Sequence, residues 1–305
     1  MRITNQIMDN RFIAACIFTA AFILCLTGTA ADVDKNKKDG GKKKEQGKLY
    51  GQAVFPAEGR ISLDEGTVEA WVSLDYSAGT TVIQDKSNII PMIFFNFCEK
   101  VGNDKGKDNS DNYAGTDARM RLATFQNRRM VNYLAYNCSL FNYDAGESTL
   151  KAMRYDLEDF SWKENEWYFT AISWKKTGAG YDVFIYVNGK KKETAFDKSA
   201  TTQIPKTLKD HLISIGSVSS AMGAVESLRI SKKARTDEEM EASMKNGLSK
   251  DDSTLFLFDA STLTSMKKIH QEEFKNDTKV PDKGLFVGPY KTIKGKFGKA
   301  IQFHE

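Results

Sequence analysis

The side chains with the best claim to chemistry in this chain are aromatic and carboxylate groups placed by strand alternation. In GTVEAWVSLDY the apolar positions Val68, Ala70, Val72 and Leu74 fall on one side of a period-two pattern, with Glu69, Trp71, Ser73 and Asp75 on the other. In YDVFIYVNG the residues Val183, Ile185 and Val187 leave Phe184 and Tyr186 on the opposite side. Aromatic rings on the non-core face of a sheet could stack on sugar rings or anchor a protein partner, with Glu69 beside Trp71 as an acceptor. The other reading is that an inserted segment covers them and makes a second small core; both stand at this point.

Three further groups carry weaker signals. Arg119, Arg121, Arg128 and Arg129 lie in ARMRLATFQNRRM and could face an acidic polymer. As a charged edge that discourages strand addition they are explained equally well. Asp104, Asp108, Asp111 and Asp117, with Asn109 and Asn112, put many oxygen atoms on the stretch GNDKGKDNSDNYAGTD. Calcium takes six to eight such ligands. Lys105 and Lys107 interrupt the set, and it is not a D-x-[DN]-x-[DN]-G loop, so calcium and a plain solvated loop are both kept. No other cofactor is implied. His211, His270 and His304 have neither paired-His zinc spacing nor a G-x-S-x-G elbow near them.

The beginning of the chain has the order of a secretory signal peptide. Arg2 and Arg11 precede the apolar run Phe12 to Leu26, and TGTAA follows. We expect residues 1–31 to be the signal and the domain to be secreted, periplasmic or at the cell surface. Attachment to a membrane is expected only if the signal stays uncleaved, since the run is short for a span of roughly 20 residues. Cleavage would remove Cys16 and Cys25 and leave Cys98 and Cys138, which in an exported protein form a disulfide or stay as two buried thiols. Residues 32–48 are lysine-rich and almost without apolar groups, as a solvated tether would be. The 305 residues carry a net charge of only +4, with much of the lysine in that tether, and no nucleic-acid partner is expected.

From residue 49 onward the pattern is one of short strands. NIIPMIFFNF reads as a strand buried on both faces. ARMRLATFQ with RMVNYLAYN reads as a hairpin, and Asn188-Gly189 as a two-residue turn whose central positions both take positive φ. One helix is signalled near 236–246 by Thr236 as N-cap, Glu239 three residues on, and Gly247 as the stop. About a dozen strands with a single helix predict an all-β fold, a two-sheet antiparallel sandwich formed as one domain over residues 49–305.

The series GQAVF, GTVEAWVSLDY, WYFTAISWKKTGAGYDVFIYVNGKKK, LISIGS and GAVESLRISKKARTDEEMEASM resembles the laminin-G-like jelly rolls of the concanavalin A-like lectin and glucanase fold. The resemblance covers most of Gly47 to Asp259 and implies a jelly-roll sandwich. Where that family has an acidic pair before the arginine, this chain has Glu226-Ser227. The region 98–166 departs from the family pattern and reads as an insertion. Because the fold class includes glucanases, the resemblance also admits glycoside hydrolysis. It needs two carboxylates about 5 to 10 Å apart, whereas Glu69 and Asp75 would lie about 20 Å apart along one strand. The resemblance therefore points to a non-catalytic binding module for glycan or an extracellular protein. Its alternatives are a structural component of an envelope or matrix and, behind both, a diverged glycoside hydrolase. Near the end, GKFGKAIQFHE echoes GKLYGQAVF, and Lys299 to Phe303 are expected to add a strand beside Gln52 to Phe55.

Overall fold

Alternation and turn chemistry produce sixteen strands in the computed structural model, which describes residues 49–77, 89–99, 118–126, 132–138, 152–156, 162–178, 180–193, 207–209, 211–218, 221–275 and 278–305. All lie in the compact unit Gly47–Glu305. The signal, the tether and the aspartates Asp104, Asp108, Asp111 and Asp117 lie outside the described residues.

In chain order the strands are β1 (Gln52–Pro56), β2 (Glu65–Leu74), β3 (Ile89–Glu99), β4 (Ala118–Gln126), β5 (Asn132–Cys138), β6 (Ala152–Asp156), β7 (Trp167–Thr177) and β8 (Gly180–Val187). They continue as β9 (Lys190–Glu193), β10 (His211–Gly216) and β11 (Gly223–Ser231). Helix α1 (Asp237–Asn246) precedes β12 (Thr254–Asp259), β13 (Lys267–Ile269), β14 (Leu285–Val287), β15 (Lys291–Lys294) and β16 (Lys299–Gln302). A first sheet runs β13-β14-β1-β10-β3-β4-β5-β6 and a second runs β15-β16-β11-β2-β7-β8-β9, with β12 also paired to β11. Every pairing is antiparallel except β13 with β14. The architecture is the two-sheet antiparallel sandwich that the patterning predicts, of the jelly-roll form that the resemblance implies.

The alternation assigns the core side chains as expected. Val68, Ala70, Val72 and Leu74 of β2 and Val183, Ile185 and Val187 of β8 meet Phe55, Phe97 and Ile213 of the first sheet. In β3, irregularities in its pairing with β4 between Ile93 and Phe95 break strict alternation, and Phe94, Phe95 and Phe97 all join this core. Cys98 turns to the other face. The Asn188-Gly189 turn forms with φ of 47° and 75°, and Val187 pairs with Lys190 around it. The capping box of Thr236 and Glu239 closes the start of α1.

Two expectations need correction, and one open alternative closes. The predicted insertion over 98–166 is not merely a loop, because β4, β5 and β6 within it extend the first sheet beyond β3. The C-terminal strand does not lie along β1. Its residues Ile301 and Gln302 pair with Val225 and Ala224 of β11, and the bridge of Tyr50 with His304 and the hydrogen bond from Gly51 N to Phe303 O (2.6 Å) tie its end to the start of β1. The disulfide fails on backbone spacing. Cys98 is on β3 and Cys138 on β5, with β4 between them. Two strand spacings come to roughly 9.5 Å, and a disulfide needs Cα atoms within about 7 Å.

Candidate functional site

The outward face of the second sheet, where Glu69, Trp71, Phe184 and Tyr186 were placed, is covered over part of its area and open over the rest. Trp71 and Tyr186 are each only 2% exposed, and with Phe169 and Ala171 they pack on Met240 of α1, flanked by Phe184, Met244 and Leu248. The cover is the helix, not an inserted loop: Met240 and Met244 stand four residues apart and lie on one helical face. Over Trp71 the turn between β15 and β16 completes the seal. Phe297 meets its ring edge-on at 5.4 Å, and Lys296 Nζ sits 4.5 Å from its centroid. Trp71 and Tyr186 are therefore core residues of a second cluster rather than an open aromatic platform.

Glu69 is likewise structural. Its side chain is fully buried and accepts a bidentate pair of hydrogen bonds from Arg229, Nε to Oε2 and Nη2 to Oε1, both at 2.8 Å. The strand register sets Arg229 of β11 directly opposite Glu69 of β2. Arg235 Nε approaches the same carboxylate at 3.0 Å, and its Nη2 donates to Asp251 at 2.6 Å and to Ser253 at 2.9 Å. Arg229 also donates to Ser243 of α1 and to the carbonyl of Ser249. Buried charge is tolerated only where every lone pair and proton finds a partner, and this network supplies them. It fixes α1 and the segments on either side of it to the sheet. Burial raises the Asp251 carboxyl, but hydrogen bonds from Arg235, Ser253 and Thr254 outweigh that and hold it well below the usual carboxylate range.

Beside this anchored helix the sheet stays open. A cleft of about 360 Å³ runs between β7, β8 and β9 on one side and Ala234 to Glu238 on the other. Phe184 and Tyr186 form its apolar wall. Asp182, Asp237 and Glu238 contribute carboxylates, and Lys175, Lys191 and Arg235 contribute cations. Tyr186 donates from its hydroxyl to Asp237 Oδ1 at 2.8 Å, while Lys191 Nζ lies 3.8 Å from that carboxylate and 3.9 Å from the centroid of Phe184. Burial and then Asp237 push the Tyr186 hydroxyl pKa up. The hydrogen bond with Thr236 draws Glu238 below its usual value. Rigid parts set this geometry: the Asn-Gly turn presents β9, and the capped start of α1 presents Thr236 to Glu238.

Of the six residues predicted to touch a ligand, Phe184 and Tyr186 line the cleft, and Glu69 supports it from beneath through Arg235. Trp71 is on the same face but sealed. Arg119 and Arg121 belong to β4 of the first sheet, where Arg121 shares a cross-strand row with Asn96 and Asn137. Sequence reasoning missed Asp182, Lys191, Arg235 and Asp237. The usable signals were the alternation that puts Asp182 in phase with Phe184 and the capping box that marks where α1 begins. Among the described residues no group of three or more His, Cys, Asp or Glu side chains is arranged to hold a metal ion.

No protein-family model and no curated protein sequence matches the chain. Solved structures resemble it distantly. A heptameric SAP-like pentraxin from Limulus polyphemus is 12% identical with a TM-score of 0.39, covering 67% of this chain and 80% of the pentraxin. A sialidase CBM40 from Ruminococcus gnavus bound to α2,3-sialyllactose is 10% identical with a TM-score of 0.37, covering 65% of this chain and 95% of that one. A Bacteroides ovatus protein proposed to bind carbohydrate is 13% identical with a TM-score of 0.38, and the match spans 84% of this chain but only 58% of that protein.

Proposed function

We propose that the domain is a non-catalytic binding module of the laminin-G-like kind, exported to the cell surface or beyond, and that it holds a neutral glycan in the cleft between β8 and the start of α1. The charge balance of the cleft carries this reading. Three carboxylates and three cations line it together with an aromatic wall. Its cations are already paired, Arg235 with Glu69 and Asp251, Lys175 with Glu65 and Lys191 with Asp237, so an anionic ligand would compete with these carboxylates and a cationic one with these cations. A neutral polyhydroxylated ring can give hydroxyl protons to Asp182 and Asp237, accept from Lys175 and Lys191, and lay its C–H face on Phe184. The volume is at the small end of the roughly 300–1,000 Å³ of small-molecule sites, which suits one or two sugar rings. Two of the carboxylates support the non-catalytic reading. Glu69 is locked between arginines, and a lowered Glu238 is the opposite of the raised carboxyl a glycosidic general acid needs. Export is read from the order of charged, apolar and small residues over the first 31 positions.

The test is a neutral-glycan array and calorimetry with the wild-type chain, Phe184→Ala and Asp182→Ala. Binding that falls at least tenfold in both variants, with unchanged melting temperature and no reducing sugar released, supports the assignment. Binding that both variants leave intact, or an absence of binding across the array, overturns it.

A further inference from the structure

The turn between β15 and β16 covers Trp71 with Phe297 and Lys296, but it carries a like-charge pair that this cover does not need. Its sequence KTIKGKFGK places Lys291, Lys294, Lys296 and Lys299 around Phe297, and all four lysines are exposed. Lys294 and Lys299 are direct partners across the antiparallel ladder. Like charges in that position repel and destabilise a strand pair. Among the described residues no carboxylate forms an ion pair with any of the four.

The tip is nevertheless held firmly. Glu226 of β11, itself buried, accepts hydrogen bonds from three successive backbone N–H groups, Lys296 at 3.0 Å, Phe297 at 2.6 Å and Gly298. A Cβ on Gly295 would come within 2.7 Å of the same carboxylate, so the turn is shaped to it. What it presents is a phenylalanine 47% exposed, one of only two large apolar side chains among the described residues that are exposed. Phe297 rests on Trp71 with one edge and lies beside Gly247 at the end of α1, leaving nearly half of the side chain exposed.

We infer that this tip is a docking surface for an anionic lipid bilayer, with Phe297 entering the interfacial layer and the lysines meeting the headgroups. The two chemistries such a surface needs, an exposed apolar ring and exposed cations, lie together in and beside this one short turn. Phenylalanine has no hydrogen bond to offer and gains by leaving water for the acyl boundary. Each lysine near an anionic leaflet strengthens attachment by about fivefold, and the Lys294–Lys299 repulsion is relieved at the same moment. The Glu226 clamp keeps the tip ordered, so little entropy is lost on contact. This inference is independent of the cleft.

The experiment is co-sedimentation of the full 305-residue chain with vesicles of phosphatidylcholine alone or with 30% phosphatidylglycerol, and in parallel its retention on heparin. Wild type, Phe297→Ser and the triple change Lys294→Gln/Lys296→Gln/Lys299→Gln are compared, with glycan-array binding as a control that the tip variants should leave intact. The expected result is a preference for the anionic vesicles that weakens as salt rises. The triple change should lower binding to them by roughly a hundredfold, and Phe297→Ser should lower it at both salt extremes. Equal partition of all three proteins into the two kinds of vesicle, which the apolar segment at Phe12 to Leu26 could produce alone, would overturn it. Retention on heparin without any preference for anionic vesicles would also overturn it and assign the lysines to an acidic polysaccharide.

Discussion

The two outer faces of the sandwich are closed by different physics. On the first sheet, Val54, Leu212, Leu285 and Val287 are covered by Phe274, with Ile269 and Val280 beside them. That closure is apolar and non-directional. On the second sheet, α1 is held by two arginines converging on one buried carboxylate and by Met240 set into an aromatic cluster. An apolar cover is held by shape and area, with no hydrogen-bond angle to set its orientation. An ion network adds fixed hydrogen-bond angles, and it places the start of α1 where the cleft needs its second wall. The sealed, directional face is therefore the one beside which a ligand site is built.

Removing the network's centre should break that contrast most sharply. Glu69→Ala leaves Arg229 and Arg235 buried without their shared counter-charge, and we expect a loss of 3–5 kcal/mol, the order seen when one partner of a buried ion pair is removed. Denaturant titration measures it, and a loss below about 1 kcal/mol would mean that water already reaches the pair. The equivalent cut on the other face, Phe274→Ala, should cost about 3 kcal/mol by transfer and cavity terms. It should leave cleft binding unchanged, whereas Glu69→Ala should impair it. Equal effects on binding would show that the two covers do not differ in what they position.

The same contrast explains what the sequence allowed to be read. Strand phase is local: the alternation around Val68 and Val183 is a property of neighbouring residues, and it correctly sent Glu69, Trp71, Phe184 and Tyr186 away from the main core. What lies over an outward side chain is decided by residues far along the chain. Phe297 reaches Trp71 across more than 220 positions, and Arg229 reaches Glu69 across 160. Both partners were visible as residue types, yet only strand order makes them neighbours. The helix was legible from its capping box, but nothing local said which face it covers. The choice between a disulfide and two thiols stayed open for the same reason, since only strand order shows that β4 stands between Cys98 and Cys138.

A smaller effect is expected at the edge of the directional cover. Thr236 accepts from Glu239 N at 3.3 Å, while its own N–H donates to Glu239 Oε2 at 3.1 Å. Thr236→Ala should cost about 1 kcal/mol, as lost N-caps do. Because Thr236 also borders the cleft, glycan binding should weaken a few-fold as the first turn frays. A cap loss that leaves the cleft untouched would locate the positioning force in the arginines alone.

The smallest effect, and the one that separates ionic from apolar closure most cleanly, is the response to acid. Asp251 is held below its ordinary value in the folded state chiefly by Arg235, with Ser253 and Thr254, against the opposing effect of burial. A carboxylate depressed on folding contributes stability above its unfolded value near 3.9, and that stability is lost as pH falls toward the folded value. The melting temperature should thus decline between about pH 5 and pH 3. In Asp251→Asn it should start lower at pH 6 and decline less steeply, because one of the titrating groups has been removed. The size is modest, since the side chain is 42% exposed and solvent screens its pairing. Phe274→Ala should lower the whole curve with little change of slope, because the side chain removed is itself uncharged and packs on apolar neighbours. If Asp251→Asn and the wild type run parallel over that range, the carboxylate does not fasten α1, and the buried Glu69 pairing must hold the helix without it.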